Sequence, residues 1–230
     1  MQTVIEFEAS YAMLTVVLEP GESIKAEPGA MVAQQDVEMK TGSGGGGLFG
    51  GIRRMLGGES FFINTFTANR DGGQVCLAPS TPGDIGSFAL PTGRNLFIQS
   101  SSFLACTDNV QTDSQFQGFR GFFSGESLFF LRAFCERGDG TVFYNSYGAI
   151  KRLPVEPGKE LVVDTGHLVA FSDDVDYSIG KVGGIRSLLG GGEGLVMKFR
   201  GNGHVWIQTR NLASLVEKLM PFLPTPDRGQ

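Results

Sequence analysis

One order of residues occurs three times in this chain, and that triplication limits the folds open to it more than any other feature. Gly51-Ile52-Arg53 aligns with Gly118-Phe119-Arg120 and with Gly184-Ile185-Arg186. Downstream, Gly58-Glu59-Ser60 aligns with Gly125-Glu126-Ser127 and, less closely, with Gly192-Glu193-Gly194. Each copy closes on a similar run: Gly73-Gln74-Val75, Gly140-Thr141-Val142 and Gly203-His204-Val205. The front halves repeat as well. Leu18-Glu19-Pro20-Gly21-Glu22 is echoed by Val155-Glu156-Pro157-Gly158-Lys159, and Pro28-Gly29-Ala30-Met31-Val32-Ala33 by Thr165-Gly166-His167-Leu168-Val169-Ala170. A fainter middle copy runs from Gly93 to Ala105. The period of roughly 65–70 residues exceeds that of common solenoid repeats, so each copy is a small sheet unit and not a single hairpin.

Within a copy the patterning is that of strands. Thr15-Val16-Val17-Leu18, Ser23-Ile24-Lys25-Ala26 and Phe61 to Phe66 are short apolar or alternating runs bounded by glycine and proline. The 34 glycines are about twice the usual share of roughly 7%, as many tight turns between short strands require. One segment departs from this pattern. Leu212, Leu215, Val216, Leu219 and Met220 recur at helical spacing behind a capping Asn211, with Pro221 and Pro224 to stop the helix. The expectation is an all-β single unit over 1–224 with three internal repeats, at about 1–85, 86–150 and 151–210. These are three tandem β-sandwich-like modules, followed by a C-terminal α-helix over 211–223, folded over one end of the sheets, and a loose tail at 225–230.

Charge and cysteine usage narrow the function classes. A formal net charge of -5 gives no basic footprint for wrapping nucleic acid. Met1 to Phe7 lacks a basic segment followed by a long apolar run, and no stretch approaches the ~20 apolar residues of a membrane span. Cys76, Cys106 and Cys135 are an odd number without CxxC spacing, and they read as reduced thiols of a cytoplasmic protein.

The runs Leu18-Glu19-Pro20-Gly21-Glu22 and Ala26-Glu27-Pro28-Gly29-Ala30-Met31-Val32 resemble a widespread family of bacterial proteins. Its fungal relatives are mitochondrial biogenesis proteins named for altered inheritance of mitochondria. The glycine-rich stretch Gly44 to Gly51, the Gly58-Glu59-Ser60 step and the closing Gly201 to Gln208 resemble it too, so the likeness reaches from the N-terminus to about Leu223. The resemblance implies a fold like that of the trp RNA-binding attenuation protein, with β-sandwich modules about a pseudo-threefold axis. It implies no established activity for the bacterial members and a link to inner-membrane organisation for the fungal ones. Fold alone carries no function.

Motifs of enzyme and cofactor chemistry are weak here. Gly45-Gly46-Gly47-Leu48-Phe49-Gly50 satisfies G-x-G-x-x-G, but Gly57-Gly58 interrupts the segment behind it too soon for the helix a pyrophosphate needs. Gly158-Lys159 is followed by Glu160, so no phosphate-binding Gly-Lys-Ser/Thr forms. His167 and His204 lack metal-ligand spacing, and Asp173, Asp174 and Asp176 lack the glycine and distal glutamate of a calcium loop and read as a solvated turn. The expectation is therefore no catalytic residue, no cofactor and no metal. A residual enzyme reading rests on Asp108, Asp113 and His167 converging in three dimensions.

The candidate site is the triplicated loop. Its members are Leu48, Phe49, Ile52, Arg53, Met55 and Leu56; Phe119, Arg120, Phe122 and Phe123; and Ile185, Arg186, Leu188 and Leu189. In one reading these hydrophobes fold back and plug the ends of the sheets, while Arg53, Arg120 and Arg186 pair with Glu59, Glu126 and Glu193. In the other they are exposed on glycine-flanked tips and form an apolar, arginine-bearing surface. The functional expectation is a non-enzymatic interaction or scaffold protein, homo-oligomeric, with a protein partner or a membrane surface as its target. The alternative is RNA or small-ligand binding by fold analogy, with Arg53, Arg54, Phe119, Arg120 and Phe122 as its only local candidates.

Overall fold

The computed structural model describes residues 1–43, 62–120, 127–181 and 195–223. Strand β1 (Gln2–Glu6) comes first, and then one sequence of six strands occurs three times. The first module holds β2 (Met13–Leu18), β3 (Ser23–Ala26), β4 (Met31–Gln35), β5 (Val37–Ser43), β6 (Phe62–Ala68) and β7 (Gly73–Leu77). The second holds β8 (Ile85–Leu90), β9 (Asn95–Gln99), β10 (Phe103–Thr107), β11 (Val110–Arg120), β12 (Ser127–Cys135) and β13 (Gly140–Asn145). The third holds β14 (Ile150–Val155), β15 (Leu161–Asp164), β16 (Leu168–Ser172), β17 (Val175–Lys181), β18 (Leu195–Gly201) and β19 (Gly203–Gln208).

Local chemistry sets these elements. In β2 the side chains of Leu14, Val16 and Leu18 point inward while Thr15 and Val17 do not, the period-2 alternation of a strand with one buried face. The turn into the second strand of every module needs a left-handed residue, and Gly21, Gly93 and Gly158 supply it at φ 77°, 82° and 78°. The repetition extends to irregularities. Register slips by one residue between Met31 and Ala33 on β7, between Phe103 and Ala105 on β13, and between Leu168 and Ala170 on β19. The same bulge at the same place in three copies is a structural feature of the module, not an accident of one strand.

The sheets do not coincide with the modules. The four sheets run β1-β2-β7-β4, β5-β6-β3-β10-β13-β8, β11-β12-β9-β16-β19-β14 and β15-β18-β17. Each module is thus a sandwich with its two halves in different sheets, and its β3-type strand pairs with the β10-type strand of the next module. The first junction sets Ala105 opposite Ala26, Cys106 opposite Lys25 and Thr107 opposite Ile24. The second sets Ala170 opposite Ile98, Phe171 opposite Phe97 and Ser172 opposite Leu96, in the same register.

Three buried clusters fill the sandwiches, one centred on each module, and each of them reaches across a junction. The first takes in Ile85, Leu104, Ala105 and Phe143 of the second module. The second takes in Val169, Ala170 and Trp206 of the third, with Ile150 packed against it. The third cluster centres on Phe171, which meets Phe97, Tyr177, Phe199 and Phe130 at ring-centroid distances of 5.0, 5.0, 5.3 and 5.4 Å.

Two strands lack the partner that their counterparts have. β10 and β16 are buried from Phe103 to Cys106 and from Leu168 to Phe171, whereas every residue of β4 is exposed. β4 and β15 are each the terminal strand of their sheet.

The C-terminal helix α1 (Leu212–Leu219) forms where the spacing predicts it, with the Asn211 side chain accepting the Ser214 amide at 3.3 Å. The expectation that it folds over the sheets is corrected. None of its residues is buried, and Leu212, Leu215, Val216 and Leu219 remain between 36% and 49% exposed. The periodic stripe that makes a helix amphipathic is present, but the sheet ends do not cover it.

Candidate functional site

The glycine-rich segments fall at one place in the module. Residues 44–61 join β5 to β6, residues 121–126 join β11 to β12, and residues 182–194 join β17 to β18. In all three cases the first of the two strands is the terminal strand of its sheet. Leu48, Phe49, Ile52, Arg53, Met55, Leu56, Phe122, Phe123, Ile185, Arg186, Leu188 and Leu189 lie outside the described residues. Phe119 and Arg120 belong to the backbone of β11, where Arg120 pairs with Ser127 across the hairpin, and their side chains lie outside the described set.

The hairpin of the second module is braced near its base by a charged pair. Asp113 and Arg132 face each other in register on β11 and β12, and Arg132 Nε donates to Asp113 Oδ1 at 3.1 Å. The same guanidinium lies 4.7 Å over the Phe134 ring. Hydrogen bonding to Asp113 raises the Arg132 pKa further above its ordinary value.

Acidic turns couple one module to the next, a role that the sequence pattern alone does not reveal. Arg94, just before β9, donates from Nε to Asp173 Oδ1 at 2.8 Å and from Nη2 to Asp174 Oδ2 at 2.9 Å. The Asn95 amide donates to Asp173 Oδ2 at 2.7 Å. The turn expected to be solvated is therefore a clamp on the preceding module. Burial works to raise the Asp173 carboxyl, but the Arg94 guanidinium and the Asn95 amides outweigh it and hold the group below the usual carboxylate range. At the first junction Lys25 Nζ lies 3.4 Å from Asp108 Oδ1 and donates to the Val110 carbonyl at 3.2 Å. A signal for this was present, since an aspartate follows the third strand of each module at one offset: Asp36, Asp108 and Asp173.

The remaining polar candidates are each held by a different neighbour. Asp108 meets Lys25, Asp113 meets Arg132, and His167 Nδ1 lies 2.8 Å from the Gln208 carbonyl oxygen. His204 Nε2 is 2.7 Å from Arg152 Nη2, so the neutral ring accepts, and burial followed by the Arg152 charge lowers its pKa. No group of three or more His, Cys, Asp or Glu that could hold a metal ion occurs among the described residues. No helix among them is long and apolar enough to cross a membrane. An open depression lined by Pro20, Gly21, Ala68, Asn69, Arg70 and Asp71 lies at the turns after β2 and β6.

Comparisons with known proteins agree with this architecture. A streptococcal protein, described as uncharacterised and found in Streptococcus pyogenes serotype M6, is 34% identical over 234 residues, which span 98% of this chain and 92% of that one. A crystal structure of another Streptococcus pyogenes protein superposes with a TM-score of 0.79 at 32% identity, covering 96% of this chain and 99% of that one. The model of one family, described as mitochondrial biogenesis AIM24, matches residues 4–210 and so takes in all three modules. With its strands, repeats and relatives in agreement, the chain belongs to the AIM24 mitochondrial biogenesis family.

Proposed function

We propose that this protein is a non-enzymatic interaction scaffold, acting in the cytoplasm, that presents three glycine-rich, apolar and arginine-bearing segments from one rigid β framework. The observation that carries the reading is positional. All three segments connect an edge strand to its neighbour in the same hairpin of the module. Arginine beside large apolar side chains is the composition of a protein-binding surface, and the acidic net charge disfavours a nucleic acid target. Backbone pairing in long hairpins such as β11–β12 supplies a stiff base from which such segments can be presented.

The test is a triple variant, Ile52→Ser with Phe119→Ser and Ile185→Ser, compared with the native chain in cross-linking capture from cells. Pelleting with vesicles of phosphatidylcholine and phosphatidylserine runs alongside. The reading expects the variant to remain folded and to lose the captured partners. A folded variant that captures the same proteins overturns it, and binding of the native chain to vesicles alone would move the target from protein to membrane.

A further inference from the structure

Two sheet edges that have no partner strand among the described residues are complementary to each other. We infer that they join copies head to tail, with β15 of one molecule pairing antiparallel with β4 of the next. The proposal goes beyond the hairpin reading and does not need it, because it rests on strand order and burial.

The chain contains its own template for the interface. At both internal junctions a β3-type strand meets a β10-type strand in one register. Transposing that register to the free edges sets Ala33 opposite Val163, Gln34 opposite Val162 and Gln35 opposite Leu161. Joined in this way, β17-β18-β15 and β4-β7-β2 give six strands in the order of the two six-stranded sheets already present, with β1 beyond β2 as a seventh.

Side chains at the edges fit the same template. At each internal junction four residues of the later module enter the core of the earlier one: Ile85, Leu104, Ala105 and Phe143, then Ile150, Val169, Ala170 and Trp206. Their counterparts in the first module are Met13, Val32, Ala33 and Cys76. Here Val32 is 59% exposed, Ala33 is exposed, and Met13 and Cys76 are half-buried. Among the described residues, this set is covered at both internal junctions and more exposed in the first module.

Charge agrees as well. Lys25 meets Asp108 at the first junction and Arg94 meets Asp173 at the second. At the free edges, Lys159 occupies the place of Arg94 and Asp36 the place of Asp173, so a cation again faces an aspartate across the seam. Helix α1 begins beside this edge, since the Asn211 side chain lies against Gly166 in the turn after β15. Unpaired edges of this length invite strand addition unless something covers them, and a second copy offers the matching edge. The interface is heterologous, so the copies form a ring if the rotation closes and a filament if it does not.

Light scattering tests this with two single variants, Val32→Asp and Val162→Asp. Both residues are exposed, at 59% and 47%, so neither change disturbs a buried position of the single chain. The native chain is expected at a multiple of 24.7 kDa, and each variant alone at 24.7 kDa. Mixed, the two variants should give a capped dimer of twice that mass, because one supplies an intact β15 and the other an intact β4. A thiol reagent should label Cys76 at least tenfold faster in the Val32→Asp monomer than in the native assembly. A native chain that remains monomeric overturns the proposal. Slow amide exchange in residues 31–35 would then mean that the two edges close within one molecule, and fast exchange that they stay open. Variants that keep the native mass, or a mixture that forms no dimer, overturn it equally.

Discussion

Asp173 receives the Arg94 guanidinium and the Asn95 amide from the module before its own, so a turn between β16 and β17 fixes where β9 begins. Asp173 is mostly covered while Arg94 is about half exposed, which limits what the pair contributes through solvent screening. Asp173→Asn is expected to destabilise the fold by about 1 kcal/mol at neutral pH, read from urea denaturation. The folded carboxyl titrates below its ordinary value, so its contribution is present above that value and is lost as pH falls through the lowered one. The variant should therefore show less acid sensitivity than the native chain.

Phe171 is fully buried at the centre of the aromatic cluster of the third module. Truncation removes four ring contacts and leaves a void that neighbouring strands cannot close. Phe171→Ala should cost about 3–5 kcal/mol, whereas Phe171→Leu should cost distinctly less. Thermal denaturation of the two variants side by side separates lost volume from lost aromatic contact.

Glu27 gives a pH dependence of opposite sign. Burial in the turn after β3 raises its carboxyl to about 7 from 4.5, so the folded chain holds this proton more tightly than the unfolded one. Stability from this group is complete below pH 4.5, declines as pH rises toward 7 and levels off above it. Glu27→Gln should remove the slope. It is expected to exceed the native chain in stability at pH 8 by on the order of 2 kcal/mol and to match it near pH 4.5. Equal gains at both pH values would assign the effect to something other than this carboxyl.

The thiols should divide into two classes. Burial pushes Cys106 up to about 12, and it raises Cys135 as well, whereas Cys76 is the least covered of the three. A thiolate-selective reagent should leave Cys106 and Cys135 unmodified under native conditions and label them only as the chain unfolds. Mass spectrometry after a short pulse reads this directly.

The sequence carried the module but not its wiring. Pro-Gly turns and alternating runs were visible because turn chemistry and strand period are local, and β2, β3 and β6 lie where those signals put them. Which strand lies beside which was not visible. Alternation tells which face of Ile24 or Ala105 is buried, but nothing local tells that β3 and β10 are neighbours. Arg94 and Asp173 lie 79 residues apart, so the aspartates read as a solvated turn. The amphipathic spacing of α1 revealed a stripe and not what meets it, which is why its docking was misplaced. One clue to the open edge was legible. Gln34 and Gln35 stand where the other copies have Cys106-Thr107 and Phe171-Ser172, a local loss of apolar character. Most of the candidate interaction residues lie outside the described residues.

Because each module divides its strands between two sheets, neither six-stranded sheet belongs to one module alone. Losing the second module would strip three strands from each six-stranded sheet and open the cores on both sides of it, which hold its Leu104 and Phe143 and its Phe130. Tandem repeats joined by linkers can melt one at a time, like links of a chain. These three are spliced together like rope, so a local fault spreads to its neighbours, and the chain should come apart in one concerted step.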